Sequence, residues 1–205
     1  MPARIDPVAR RQRVVEAAFR LVVAEGVAGM SLRKVADEAG LNIGSVRHFF
    51  DGHHDLLAAA AEEAGERMGR RLAAHPVEAL RALRGEAALE ALQELVEAVL
   101  PVDEARRDEV TVVMELIAAS RTMPVFRDVA GRMGADLAAV LRDALAAVGA
   151  PDADLAAAQL SALIGGLTID AITPHGDLAT ADLRRILRAH LRLLTRIGAG
   201  GTRAE

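Results

Sequence analysis

Apolar residues recur along most of the chain at the three-to-four-residue spacing of one helix face, and the alternation typical of a β-strand is absent. Residues 180–197 illustrate this pattern, with Leu183, Leu187, Leu191 and Leu194 on one face and arginines on the opposite one. The abundant residues Ala, Leu, Glu and Arg all favour helices. The sequence therefore predicts an all-α fold.

Prolines divide the later part of the chain into segments of similar length. Pro76, Pro101, Pro124, Pro151 and Pro174 each coincide with a break in the apolar periodicity, and proline does not fit a helix interior. No side-chain pattern recurs between these segments, which argues against a repeat array. We expect long helices over residues 53–74, 77–100, 103–120, 125–148, 152–172 and 180–197.

The first 50 residues predict shorter helices joined by tight turns. Asp6 precedes a proline, a typical helix start, and Gly26 is expected to end that first helix. Ser31 and Asn42 can cap a second and a third helix, while Gly40 can stop the second in a left-handed conformation. This order of helix, short turn and helix is the helix-turn-helix arrangement. The apolar residues spaced to face its interior are Val15, Phe19, Val22, Val35, Ala36, Ala39, Leu41, Val46 and Phe50.

Composition excludes several classes of chemistry. The 205 residues include no cysteine, so disulfides, thiolate metal sites and cysteine nucleophiles are excluded. A chain of this length buries a large core without needing a metal. No apolar run reaches the roughly 18 residues of a membrane span, and the basic start does not resemble a signal peptide. These features predict a cytoplasmic protein that does not associate with membranes.

Charge is unevenly distributed along the chain. Residues 1–50 contain eight Arg or Lys against five acidic residues, a net charge of +3, whereas residues 51–205 have a net charge of −7. A basic N-terminal part on an acidic body predicts a polyanionic partner for that part alone.

The stretch AGLNIGSVRHFFDGHHDLL, residues 39–57, raises the question of what its aromatic and histidine residues do. A metal site, a catalytic histidine and a small core that supports a binding helix are three possible explanations. The spacing of His48, His53 and His54 does not form a convincing ligand set, and no Ser-His-Asp arrangement or Gly-rich nucleotide loop accompanies them. The pattern favours the core, with Phe49 and Phe50 packing the third helix against its neighbours.

Two later helices have distinctive surfaces. Residues 152–172 are apolar or small almost all round, so the helix needs cover on both sides, and a second subunit is the expected cover. Residues 180–197 oppose a leucine stripe with an arginine-rich face. Acidic neighbours within the chain explain that face, and a second nucleic-acid surface is the alternative. Homodimerisation through these two helices is therefore predicted.

The segment GMSLRKVADEAGLNIGSVRHFFDGHHDLL resembles the DNA-binding segment of the TetR family of transcriptional repressors, with residues 10–57 in register. Two positions depart from the family pattern: Arg47 stands in a Val-Arg pair where tyrosine is usual, and His53 stands where lysine is usual. The resemblance implies a three-helix DNA-binding domain at 1–52 and a helical ligand-binding and dimerisation domain at 53–205. It implies no cofactor and no enzymatic activity.

The same resemblance implies a function. It predicts a homodimeric, ligand-responsive repressor of a palindromic double-stranded DNA operator. An unknown small-molecule inducer would favour a spacing of the two DNA-binding domains that no longer matches successive grooves. The alternative from another class is a helical ligand-binding or scaffold dimer without sequence-specific DNA binding.

The residues expected to contact DNA lie on or beside the second and third helices. Arg33 and Arg47 are candidates for reading base edges, because a guanidinium can bind guanine with two hydrogen bonds. Ser31, at a helix N-terminus, suits a phosphate, and Gly44 allows close approach of the backbone. The full predicted set is Ser31, Arg33, Lys34, Asn42, Gly44, Ser45, Arg47, His48 and His53.

Ligand-binding candidates lie in the middle helices, where polar side chains interrupt apolar runs. Because the chain has no Trp or Tyr, an aromatic cage for a quaternary ammonium is not expected, and a flexible aliphatic ligand is favoured. The predicted lining residues are Thr111, Met114, Glu115, Arg121, Phe126, Met133, Gln159 and Thr168.

Overall fold

The computed structural model describes residues 6–196, and every regular element within them is a helix. Ten α-helices and one 3-10 turn follow one another: α1 Pro7–Gly29, α2 Leu32–Ala39, α3 Ile43–Arg47, α4 His53–Ala73, α5 Val77–Leu80, α6 Gly85–Glu97, α7 Glu104–Ser120, the 3-10 turn Pro124–Phe126, α8 Arg127–Ala147, α9 Ala153–Ile172 and α10 Thr180–Thr195. The all-α prediction is confirmed. The last residue of the helix predicted over 180–197, and the end of the domain predicted over 53–205, lie outside the described residues.

Helix α1 begins as the sequence predicts but does not end where expected. The Asp6 side chain caps it, accepting a hydrogen bond of 3.0 Å from the Val8 N–H. Gly26 was expected to end the helix, yet it forms a kink, with φ at 69°, and helical residues continue to Gly29. A glycine tolerates this left-handed conformation without the steric cost of a Cβ.

The single helix predicted over 77–100 is wrong. The structure has two helices there, α5 and α6, separated by a turn in which Gly85 adopts a φ of 58°. The Arg84 guanidinium donates hydrogen bonds of 2.6 Å to the carbonyls of Arg81 and Leu83, which gives partners to carbonyls that lose theirs where a helix ends. Residues 98–100 form a turn beyond α6.

The described chain forms two compact units. The first contains the residues up to Arg67 together with Thr111–Gly131. In it, Arg67 of α4 forms ion pairs with Glu16 of α1 and with Glu63 one turn before it, the latter at 2.9 Å. Its buried core includes Val14, Val15, Phe19, Val22, Val35, Val46, Phe50, Leu56, Leu57, Leu116 and Phe126.

The second unit contains Met68–Val110 and the residues from Arg132 onward. Arg71 pairs with the buried carboxylate of Glu109 and donates a hydrogen bond of 3.0 Å to the Ala98 carbonyl. Its buried leucines include Leu89, Leu92, Leu95, Leu141, Leu145, Leu160, Leu183, Leu187 and Leu191. This division rests on packing alone, and the functional division into 1–52 and 53–205 stays a prediction.

Candidate nucleic-acid interface and ligand cleft

Side-chain caps define the helix-turn-helix. The Ser31 hydroxyl oxygen accepts from the Lys34 N–H at 3.3 Å, and the Asn42 side-chain oxygen accepts from the Ser45 N–H at 2.8 Å. Between them Gly40 ends α2 with φ 63° and ψ 38°, the left-handed conformation that the sequence predicted. These caps fix the lengths of α2 and α3 through local interactions.

The interior of this motif holds most of the predicted apolar residues. Val35, Ala36, Ala39 and Val46 are buried, whereas Leu41 is half-buried. Each fully buried side chain of valine size contributes about 1.5–3 kcal/mol relative to an exposed one. The interior therefore holds α3 against α2 in one orientation.

The two adjacent phenylalanines have different surroundings. Phe50 is buried, and the Arg11 guanidinium lies over its ring at 5.2 Å from the centroid. Phe49 is half-buried and meets His48 edge to face, with 5.0 Å between the ring centroids. Phe50 is thus a core residue, and Phe49 lies at the edge of the core beneath an exposed histidine.

Several basic residues of this region are engaged inside the protein. Arg20 pairs with Glu38 at 2.7 Å, and Arg13 donates a hydrogen bond of 2.7 Å to the Ala39 carbonyl, so both attach α1 to α2. Lys34 pairs with Glu25. These contacts hold the motif together, and they reduce the number of positive charges that are free to meet a ligand.

Arg33 and Arg47 differ from these engaged residues. Both are exposed, one on α2 and the other at the end of α3, and neither has a hydrogen-bond or ion-pair partner among residues 6–196. A guanidinium group without an internal partner is able to bind phosphates or base edges, and these two lie on adjacent helices of the motif.

The remaining predicted DNA contacts also lie at or near the surface. Ser31, Asn42, Gly44, His48 and His53 are exposed, and Ser45 is half-buried. A Cβ on Gly44 would lie 3.3 Å from the Asn42 side-chain oxygen, closer than an ordinary van der Waals contact. This glycine therefore protects the Asn42 cap, a role that the sequence did not indicate.

The histidines after α3 pack against rings. His53 and His54 lie with their ring centroids 4.0 Å apart, and His54 meets the buried Phe126 edge to face at 5.5 Å. Within the described part of the chain, no three His, Cys, Asp or Glu side chains are grouped as metal ligands would be.

A cleft of about 530 Å³ opens in the first unit. We call it the junction cleft, because its walls come from the end of α1, the turn before α2, the start of α4 and the end of α7. Glu115 is the one member of the eight predicted ligand-binding residues that lines this cleft. His53, which was predicted to contact DNA, lines it as well. Its lining residues are Val27, Ala28, Met30, His53, Glu115, Ala118, Ala119 and Met123.

The other predicted ligand residues are spread over both units. In the first unit Thr111 and Met114 are half-buried, Arg121 is exposed and Phe126 is fully buried against His54. In the second unit Met133 is half-buried on α8, whereas Gln159 is exposed and Thr168 buried on α9. The sequence missed most of the cleft wall because alanine and valine carry no signal for a site.

Helices α9 and α10 of the second unit leave apolar side chains exposed. Leu155 and Ile169 lie on the exposed side of α9, while Ile186 and Leu193 lie on that of α10, with Leu193 76% exposed. Within residues 6–196, α9 alone is long and apolar enough by composition to cross a membrane, but a core helix passes the same test. Seven of its residues are buried in this unit, and its exposed side suits a protein interface.

The arginine-rich face of α10 contacts acidic side chains of α6. Arg184 pairs with Glu97 at 3.0 Å, and Arg192 pairs with Glu86 at 3.0 Å. Arg188 also pairs with Glu86, and this pairing is the first cause that lowers the pKa of the Glu86 carboxyl. The face therefore has acidic neighbours within its own unit, the first of the two explanations that the sequence offered.

Two family models match most of the chain. Residues 14–60 match the bacterial regulatory proteins of the tetR family, and residues 88–196 match the C-terminal part of BetI-type transcriptional repressors. A relative from Bacillus subtilis (strain 168), the HTH-type transcriptional regulator PksA, is 30% identical over 93% of this chain and 92% of its own length.

Solved structures agree with these matches. A transcriptional regulator from Rhodococcus sp. Rha1 has a TM-score of 0.79 at 27% identity, covering 91% of this chain and 96% of its own. A transcriptional regulator from Saccharomonospora viridis, solved in complex with choline, has a TM-score of 0.73 at 28% identity. The match covers 89% of this chain and 95% of that regulator. The helix-turn-helix, the all-helical remainder and these likenesses lead to one conclusion: this chain belongs to the TetR family of transcriptional regulators, a family of DNA-binding proteins and not of enzymes.

Proposed function

We propose that this protein is a cytoplasmic repressor that binds a palindromic DNA operator as a homodimer and releases it when a small molecule binds. The single observation that carries the proposal is the pair of exposed arginines without internal partners, Arg33 and Arg47, on adjacent helices of the motif. Their neighbours Arg13, Arg20 and Lys34 already have partners inside the protein.

The roles of the two arginines follow from their positions. Arg47 lies in the last turn of α3, the helix expected to enter the major groove, where a forked guanidinium distinguishes guanine from other bases. Arg33 lies in the first turn of α2, the preceding helix of the motif. The other predicted contacts position the motif on DNA, by binding phosphates or by letting the backbone approach closely. They are Ser31, Lys34, Asn42, Gly44, Ser45, His48 and His53.

Dimerisation accounts for the exposed apolar residues of α9 and α10. Leu155, Ile169, Ile186 and Leu193 are each at least 39% exposed, and a second copy of the same surface would bury them. A two-fold dimer presents two recognition helices, which explains why the operator would be palindromic.

The ligand response rests on the family and on a relative. The Saccharomonospora regulator was solved with choline, so a small ligand is a reasonable expectation for this chain. A ligand can release DNA only if it binds the two conformations of the dimer with different affinities.

Fluorescence anisotropy on a labelled duplex from upstream of the gene tests the proposal. Arg47→Ala should weaken binding by about 1–3 kcal/mol and relax the preference at one base pair. Arg142→Ala, which removes an exposed arginine of α8, is the matched control and should bind as the wild type does. If both variants bind alike, the protein is better described by the alternative, a helical ligand-binding dimer without sequence-specific DNA binding.

A further inference from the structure

We infer that the junction cleft is a binding site for a small organic monocation, with the Glu115 carboxylate as its counter-charge. The eight ligand-binding residues predicted from the sequence lie in both units. Seven of the eight residues that line the cleft are not among them. The inference goes beyond the proposed function, and it rests on that function only for its regulatory consequence.

Glu115 supplies the charge. It is half-buried on α7 and has no hydrogen-bond or ion-pair partner among the described residues. A Cβ placed on Gly26 would lie 3.8 Å from Glu115 Oε1, so the carboxylate faces the kink of α1. A partly buried carboxylate without a partner is costly, and a bound cation would offset that cost.

The walls supply an apolar surface. Val27, Met30 and Met123 line the cleft beside three alanines, and no Lys or Arg is among its lining residues. Thioethers are polarisable and adapt to irregular shapes. The volume of about 530 Å³ lies within the range of small-molecule sites.

These features define the chemical class. The charge selects a cation, and the aliphatic wall selects an alkylammonium group over a flat aromatic one. Because the chain has no Trp or Tyr, recognition would rely on the carboxylate and the methionines, without an aromatic cage.

The position of the cleft gives it a regulatory consequence. Met30 directly precedes Ser31, the cap of α2, and His53 is the first residue of α4. An occupant would touch both the turn that orients α2 and the helix that leaves the motif. It would therefore act on the DNA-binding face within the same compact unit.

Methionine methyl signals in nuclear magnetic resonance provide a direct test. Choline and its uncharged isostere 3,3-dimethylbutan-1-ol are the probes, added separately to the full chain labelled at its methionine methyl groups. We expect choline to shift the signals of Met30 and Met123, and the isostere to bind at least about tenfold more weakly. Unchanged Met30 and Met123 signals, or equal affinity for the two probes, would overturn the inference.

Variants connect the signal to the carboxylate. Glu115→Gln should weaken choline binding at least about tenfold, while Glu90→Gln, an exposed acid of α6, should leave it unchanged. Ala119→Leu keeps the charge but fills the cleft, and it should also abolish the shifts. Binding as tight as that of the wild type in either cleft variant would contradict the site.

The test separates this inference from the proposed function. The methyl readout contains no DNA, so shifts at Met30 and Met123 support the cation site even if the protein ignores its upstream region. Conversely, specific DNA binding together with methyl signals that choline leaves unchanged would contradict the cation site and leave the repressor proposal standing.

Discussion

The guanidinium of Arg67 on α4 lies over the ring of Phe19 on α1, with its central carbon 4.8 Å from the ring centroid. It also donates hydrogen bonds to Glu63 and Glu16. Burial disfavours the charged form of Arg67, but the hydrogen bonds to Glu63 and then Glu16 outweigh burial and raise its pKa. One side chain therefore connects the first helix of the motif to the helix that leaves it.

Replacing Arg67 should destabilise the protein measurably. Arg67→Ala is expected to lower the free energy of unfolding by about 1–3 kcal/mol, because two carboxylates lose their partner and Phe19 loses its cover. Arg67→Lys keeps the positive charge but removes the planar guanidinium that binds both carboxylates, so it should lower the free energy of unfolding by less than Arg67→Ala does. Urea denaturation measures both. Arg185→Ala breaks a pair that is far more exposed and should cost at most about 1 kcal/mol; equal losses for Arg67→Ala and Arg185→Ala would contradict the role of Arg67.

Asp108 should make a pH-dependent contribution to stability. Partial burial and then the Glu104 carboxylate raise the pKa of Asp108, against the opposing charge of Arg107. The folded state therefore favours the protonated acid, and ionisation near neutral pH destabilises the fold. Asp108→Asn should raise the free energy of unfolding at about pH 7 by less than about 1 kcal/mol, because solvent screens the site.

The gain from Asp108→Asn should shrink as the pH falls through the folded pKa and vanish below about 3.9, the unfolded value. Urea denaturation at several pH values measures this trend. Asp136→Asn, an exposed acid of α8, is the control and should have little effect at any pH. A gain that is constant with pH would mean that the substitution acts through something other than ionisation.

Lys34 should contribute affinity without selectivity. It pairs with Glu25, and a lysine behaves as a point charge toward phosphate. Lys34→Ala should weaken binding to operator and scrambled duplexes by the same factor and reduce the salt slope by about 1. Glu25→Gln removes the ion-pair partner of Lys34 and should slightly strengthen binding to both the operator and the scrambled duplex. A loss confined to the operator would instead make Lys34 a base-reading residue.

A charge on the exposed face of α10 should separate the dimer. Leu193→Glu places a carboxylate where the proposed interface buries an apolar side chain, and desolvating that charge opposes association. Sedimentation velocity should then detect monomers at concentrations where the wild type is dimeric. Val125→Glu alters a residue that is 58% exposed in the other unit and should leave the dimer intact; if Leu193→Glu also stays dimeric, the proposed interface is wrong.

Local signals in the sequence predicted much of the helix-turn-helix. The caps at Asp6, Ser31 and Asn42 and the left-handed Gly40 depend on residues within four positions of one another. The break before α6 was missed because the residues around Gly85 are strong helix formers and the glycine was the single contrary signal.

The candidate site was less predictable, because it depends on contacts between distant segments. The sequence predicted that both Arg47 and Lys34 contact DNA, whereas in the structure Lys34 pairs with Glu25 and Arg47 has no partner among residues 6–196. The junction cleft brings Val27 close to Ala118, residues 91 positions apart. Nothing in their local patterns indicates that proximity.

The affinity of the wild-type protein for DNA upstream of its own gene, relative to a scrambled duplex of equal length and composition, tests the central claim most directly. Both affinities should fall steeply as salt rises from about 50 to about 200 mM, through counterion release. At every salt concentration the upstream duplex should bind at least about 10³-fold more tightly. Equal affinity for the two duplexes at about 150 mM salt would contradict the account of a sequence-specific repressor.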